Sequence, residues 1–201
     1  MKIAVLGGTG RAGSEIVGEL ARRGHAITAI ARKPTAATEP GITPLAVDAT
    51  DAAALTAAIK GHDAVVSAMH FANPGIAEVV AAARAAGVRR LLVVGGAGSL
   101  EVAPGQPLID QPDFPPEYLG EARAGADALD YLRGIDDLDW TFLSPSAFFF
   151  EGPRTGTFRL GKDALLSNAD GSSISFADYA IAMADEIEHP AHIRARFTVG
   201  Y

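Results

Sequence analysis

Four glycines crowd the first turn of the chain: Gly7, Gly8, Gly10 and Gly13, within KIAVLGGTGRAGSEIV. They satisfy Gly7-x-x-Gly10-x-x-Gly13 and Gly8-x-Gly10-x-x-Gly13 at once. Such a turn does one kind of chemistry well, which is to hold a pyrophosphate with backbone rather than side chains. One glycine permits a tight bend with positive φ, one lets amides approach the phosphates, and one lets the following helix pack on the strand. The helix start then offers unpaired N–H groups and a partial positive charge. Thr9 and Arg11 stand where their side chains add phosphate contacts, and the Ala12 amide lies in the same first turn. An apolar strand before the glycines and a helical pattern after them supply the context the motif requires, so a dinucleotide cofactor is expected.

The end of the second predicted strand selects between dinucleotides. A carboxylate there would bind a ribose 2′-hydroxyl. This chain has Ile30-Ala31-Arg32-Lys33, and the Arg32–Lys33 pair suits a 2′-phosphate, which favours NADP(H) while leaving NAD(H) open. Later strand ends complete a groove, because open α/β sheets bind ligands at the carboxyl ends of their strands. Asp48 and Ala49 follow the third strand, with Asp48 placed to accept an adenine amino group. Ser67, Ala68 and Met69 end the fourth, beside a ribose, and Gly95 and Gly96 end the fifth, near a nicotinamide. Two residues at this end can move protons: His70, in a Met-His-Phe context, and Tyr118, as a hydrogen-bond donor to substrate. His25, His62, His189 and His192 lack ligand spacing with carboxylates, so no metal is expected. Ser144-Pro145-Ser146 lacks the Gly-x-Ser-x-Gly frame of a hydrolase nucleophile.

The elements that must position these residues follow from alternating short apolar runs and helical patterns. Strands are expected at Lys2–Leu6, Ala26–Ala31, Thr43–Val47, Ala64–Ala68 and Arg90–Val94, and helices at Arg11–Arg23, Asp51–Lys60 and Gly75–Ala86. Strands apolar on both faces, alternating with helices, make a doubly wound, mostly parallel α/β sheet of the Rossmann type with helices on both faces. The stretch Gly96–Pro116 reads as a long functional loop, Glu117–Arg133 as a helix and Asp139–Ser144 as a sixth strand. Phe148–Asn168 suggests a hairpin, Ser175 caps a last helix Phe176–Glu188, and Arg196–Val199 reads as an edge strand free to add to a neighbouring copy. No linker interrupts 1–201, so one domain is expected, with 146–175 as a small cap on the substrate side.

Composition narrows the partners. The chain has 201 residues, 48% of them hydrophobic, and no cysteine, which removes disulfides, thiolate metal sites and cysteine nucleophiles. Seventeen Lys+Arg against twenty-four Asp+Glu give a net charge of −7, which disfavours nucleic acid and anionic membranes. Met1-Lys2 runs straight into the first strand, and no apolar run approaches the roughly 20 residues of a membrane span, so a cytoplasmic protein is expected. Oligomeric state stays open.

The chain resembles an atypical short-chain dehydrogenase/reductase, in the NAD(P)H-binding group that includes NmrA-like proteins, biliverdin-IXβ/flavin reductases and bacterial NADH-flavin reductases. The likeness spans nearly the whole sequence and rests on GGTGRAG, LLVVGGAGSLEV, DWTFLSPSAFFFEGPRTGTFRLG and ISFADYAIAMADEIE. It implies that Gly7, Gly10, Arg11 and Gly13 hold the pyrophosphate and Arg32 the 2′-phosphate. It implies further that Ser67, Ala68 and Met69 line the ribose, and Pro145, Ser146 and Ala147 the nicotinamide amide. Phe148, Phe149 and Phe150 would shape a substrate pocket, with Arg154 beside them. Ordinary members of the superfamily carry Tyr-x-x-x-Lys, whereas Tyr118 is followed four residues later by Ala122, and no lysine lies between Lys60 and Lys162. The serine usual after the fifth strand is Ala97 here, with Ser99 two residues on. Without that proton relay, the expected reaction is hydride transfer from NADPH to a small planar acceptor that stabilises its own charge: a flavin as substrate, a quinone or a conjugated tetrapyrrole. A non-catalytic NADP(H)-binding redox sensor is the alternative, and an isomerase or dehydratase a weaker one.

Overall fold

Residues Ile3 to Leu6 are fully buried, and that run of β-branched and aliphatic side chains forms the central strand of the protein. In the computed structural model, which describes residues 1–34, 36, 39–72 and 74–201, β1 (Lys2–Leu6) is followed by α1 (Arg11–Arg22), β2 (Ala26–Ala31) and β3 (Ile42–Ala46). Next come α2 (Ala52–Ile59), β4 (Ala64–Ser67), α3 (Ile76–Ala86) and β5 (Arg90–Val94). The chain continues through β6 (Glu101–Ala103), β7 (Gln106–Pro107), α4 (Leu119–Arg133), β8 (Asp139–Pro145), β9 (Phe148–Phe150) and β10 (Arg159–Gly161). It ends with β11 (Ser173–Ser175), α5 (Phe176–Glu188) and β12 (Ala195–Gly200).

Eight strands form one sheet in the order β10-β12-β8-β5-β4-β1-β2-β3, all parallel except the β10–β12 pair. The order in which the chain adds strands reverses at β1, between β4 and β2, and the crevice at that switch is where such sheets take ligands. Two apolar layers hold helices on the faces. One gathers Ile16, Val17 and Leu20 of α1 with Tyr179, Ala180, Met183 and Ile187 of α5. The other gathers Leu55, Ile59, Val79, Val80, Leu129 and Leu132 from α2, α3 and α4. Asp51 caps α2 by accepting from the amides of Ala53 and Ala54, and Gly87 closes α3 at φ +75°.

Four expectations change. The Gly96–Pro116 stretch is not an irregular loop throughout, since β6 and β7 pair within it; strands of three and two residues carry too little alternation to be read from sequence. The helix predicted from Glu117 begins at Leu119, because Pro115 and Pro116 impose a 3₁₀ turn over Pro116–Tyr118. The expected hairpin in Phe148–Asn168 does not form. Instead β10 pairs antiparallel with β12, the 164–165 stretch bonds to Glu101, and Phe148–Phe150 pairs in parallel with Ser173–Ser175. The last strand is not an edge: β12 lies between β8 and β10, with Phe197 and Val199 fully buried, so it is not available to a neighbouring copy.

Candidate functional site

The glycine turn is built so that backbone meets backbone. Gly7 adopts φ +73°, and a Cβ there would lie 2.6 Å from the Ala68 carbonyl oxygen. A Cβ on residue 13 would lie 2.1 Å from the Gly7 carbonyl oxygen, which no side chain can tolerate without a shift of the turn. The Gly7 and Gly8 amides donate to the Ile30 carbonyl at 2.9 and 3.1 Å, and the Gly10 amide donates back to Gly7 at 2.9 Å. Gly10 then caps α1 with no side-chain acceptor, leaving the first-turn amides of Arg11, Ala12 and Gly13 facing the sheet's open end. This is a cradle for an anion that the protein's own side chains do not fill.

The other strand ends gather around it. Ser67 is buried, Ala68 and Met69 are half-buried beside Gly7, and Gly96 leaves open space where a Cβ would stand. Gly95 is constrained differently, because a Cβ there would lie 2.3 Å from the Phe142 ring. Arg32 and Lys33 are exposed just beyond the end of β2. Ala49 is half-buried and Asp48 exposed, the latter accepting from the Thr50 amide and hydroxyl at 3.0 and 2.8 Å. Those hydrogen bonds, with Arg32 nearby, hold the Asp48 carboxyl below its ordinary range. One carboxylate oxygen is thus committed to Thr50, and Oδ2 is the atom left for another donor. Beside the cradle, Thr9, Gly10, Arg11, Ser14, Glu15, Glu151 and Phe176 line a cleft of about 240 Å³, with the Arg11 guanidinium 5.6 Å from the centre of the Phe176 ring.

Several expected side chains turn elsewhere. The Ser146 hydroxyl donates to the Val199 carbonyl at 3.0 Å and is fully buried, as are Ser144 and Pro145, so any contact from this stretch comes from backbone or from exposed Ala147. The Ala147 amide itself donates to Ser172 Oγ at 3.1 Å. The three phenylalanines divide. Phe149 enters the core between Phe176 and Tyr179, at 4.4 and 4.7 Å, rather than lining a pocket. Phe148 is 64% exposed and stacks on Phe150 at 5.1 Å. Arg154, expected beside the pocket, directs both its Nε and Nη2 to the Glu19 carboxylate. The Ser99 hydroxyl accepts a hydrogen bond from Arg196 Nη1 at 3.2 Å.

Of the proton-transfer candidates, Tyr118 is 63% exposed at the start of α4. His70 is exposed beyond β4, and its Nδ1 lies 3.1 Å from Glu121 Oε1. Glu121 was not singled out by motif. Its only sequence signal is its place one helical turn after Tyr118. Glu151 and Phe176 were equally silent as cleft residues, because β9 and α5 meet α1 only in three dimensions.

The parallel sheet, its switch point at β1 and the glycine cradle define a dinucleotide-binding α/β protein of the Rossmann class. The chain belongs to the NAD(P)H-binding family, whose pattern it matches over residues 7–190. It is 48% identical over 212 residues to the uncharacterised protein YwnB of Bacillus subtilis, covering 99% of this chain and 98% of that one. A solved structure of a candidate NADH-flavin reductase from Streptococcus pneumoniae superposes with a TM-score of 0.84 at 36% identity, over 100% of this chain and 99% of the other. A 3-diazoavenalumate denitrifying reductase from a Streptomyces species is 31% identical over 82% of this chain and 61% of its own length. No helix among the described residues is long and apolar enough to cross a membrane.

Proposed function

We propose that the protein is an NADPH-dependent reductase that passes a hydride to a small planar electron acceptor of the flavin or quinone type. The observation that carries the reading is the anion cradle: Gly13 forced against Gly7 by a 2.1 Å exclusion, with the α1 amides left without side-chain acceptors. The residues present fit a dinucleotide, since Gly7, Gly10, Ala12 and Gly13 offer backbone to the pyrophosphate and Arg11 a guanidinium. Arg32 and Lys33, exposed at the end of β2, favour the 2′-phosphate form. Gly95, Gly96 and the backbone at Pro145, Ser146 and Ala147 border the space for the nicotinamide, whose reduced form supplies the hydride. The stacked Phe148–Phe150 pair gives a planar acceptor a face to lie against. Relatives named as reductases agree with this reading.

The test is NADPH oxidation followed with FMN, FAD, menadione and biliverdin as separate acceptors, alongside direct measurement of NADPH binding. Acceptor-dependent, saturable oxidation is expected. Tight binding with no acceleration by any acceptor would leave a redox sensor, the other function this site can serve.

A further inference from the structure

Of the five histidines, His70 alone stands at the carboxyl end of the sheet. His25, His62, His189 and His192 precede β2, β4 and β12, at the amino end. His70 directly follows the β4 end, and its neighbour Met69 abuts the glycine turn, since a Cβ on Gly7 would reach the Met69 nitrogen at 3.3 Å. Glu121 sits in the first turn of α4, next to Ala122, and a Cβ on Gly98, beyond β5, would lie 2.9 Å from the Ala122 Cβ. The His70–Glu121 contact therefore ties the end of β4, which neighbours β1 at the crevice, to the start of α4.

The contact has a direction. Glu121 Oε1 accepts the Phe71 amide at 3.0 Å and meets His70 Nδ1 at 3.1 Å, so one carboxylate oxygen fixes both the loop backbone and the ring. A carboxylate on Nδ1 holds the proton there and turns Nε2 outward. The His70 side chain is 88% exposed, so Nε2 is open to solvent, and its only ion-pair partner among the described residues is Glu121. Tyr118 has no lysine four residues on, whereas this imidazole is held by a carboxylate.

We propose that His70 is the proton donor to the reduced acceptor and Glu121 its positioning residue, an inference that rests on the reductase reading. Hydride arrival leaves an electron pair on an oxygen or nitrogen of the acceptor. In the doubly protonated ring the His70 Nε2–H bond breaks and its proton joins that atom; Nε2 keeps the bonding pair, the neutral ring retains its Nδ1 proton towards Glu121, and solvent then returns a proton to Nε2. The acceptors favoured are those whose reduction places charge on a heteroatom, quinones and conjugated imines above all. If Glu121 served only to pin the loop to α4, its bond from the Phe71 amide would suffice and the His70 ring would be dispensable.

The test uses the intact protein labelled with 15N-histidine, as wild type, His70→Asn, Glu121→Gln and Glu121→Asp. Adding NADP⁺ should shift the His70 ring resonances and leave those of His192 unmoved. Menadione-dependent oxidation of NADPH should fall about a hundredfold in His70→Asn, the lower range of general acid catalysis, and lose its decline with rising pH. NADPH affinity should stay within about twofold, as expected when only the chemical step is impaired. Glu121→Gln should slow the reaction, and Glu121→Asp should restore part of the rate. Unmoved His70 resonances, or a His70→Asn variant with wild-type rate and pH profile, would overturn the assignment. A wild-type protein that binds NADPH but reduces neither menadione nor FMN would instead remove the reductase reading, and this step with it.

Discussion

Arg154 grips the Glu19 carboxylate with two nitrogens, Nε at 2.9 Å and Nη2 at 3.0 Å, across 135 positions of sequence. Glu19 is almost wholly buried on α1 and also receives Arg22 and Arg23 at 2.8 and 2.9 Å. Three guanidiniums on one carboxylate, Arg154 foremost, pull its pKa down to about 2 despite burial. Asp178, fully buried at the start of α5, secures the next residues by accepting from the amides of Thr155 and Gly156, both at 2.8 Å. The segment between β9 and β10 is thereby tied to the helix whose first turn forms the anion cradle.

Removing that charge has a calculable sign. The Glu19 carboxyl is lower in the folded than in the unfolded chain, so its stabilisation is complete above the ordinary carboxylate pKa and is lost as pH falls towards about 2. Glu19→Gln should cost about 3 kcal/mol at neutral pH, because it strands cations around a buried site. Arg154→Ala should cost about 1 kcal/mol, since the arginine is half exposed and Arg22 and Arg23 remain. Urea midpoints from pH 7 to acid should show a flatter acid dependence in Glu19→Gln than in wild type.

Two glycine variants separate fold from cofactor. Gly13→Ala drives a Cβ into the Gly7 carbonyl and should lower both melting temperature and NADPH affinity. Gly96→Ala places its Cβ in open space, so the melting temperature should hold while NADPH binding weakens about tenfold through lost close approach. Thermal melts and binding isotherms on the same preparations check both.

Tyr179, in the late Ser-x-x-Asp-Tyr-Ala stretch, is structural. Its hydroxyl is fully buried and donates to the Leu143 carbonyl at 2.7 Å, and burial pushes its pKa well above the ordinary tyrosine value. The Gly95 amide also donates to Leu143, at 2.8 Å, so Tyr179→Phe leaves that carbonyl satisfied. The variant should lose about 1 kcal/mol in denaturant unfolding and keep wild-type NADPH oxidation.

Arg32→Ala tests cofactor preference. If the guanidinium reads the 2′-phosphate, the ratio of NADPH to NADH affinity should fall about tenfold or more, with NADH binding nearly unchanged. An unaltered ratio would mean that Arg32 is only a solvated surface charge.

The strands and helices around the crevice were legible because their signals are local. Lys2–Leu6, Ala26–Ala31 and Arg90–Val94 are continuous apolar runs that coincide with β1, β2 and β5, and Gly7 to Gly13 mark the turn between strand and helix. What stayed hidden depends on contacts between distant residues. Nothing near Arg154 announces Glu19, and nothing near His70 announces Glu121. The motif does not show that β12, running beside β8, supplies the Val199 carbonyl that accepts the Ser146 hydroxyl's hydrogen bond. Short strands such as β6, β9 and β11 are held by pairing rather than by pattern, so their sequences carry little of their structure.

The reductase reading is tested most directly by NADPH deuterated at C4, on either face, with menadione and FMN as acceptors. It predicts acceptor-dependent oxidation that slows severalfold for one deuterated face and not for the other, because the protein presents one face of the ring to the acceptor. Saturable binding of NADPH, with oxidation no faster than in buffer for any acceptor, would contradict it.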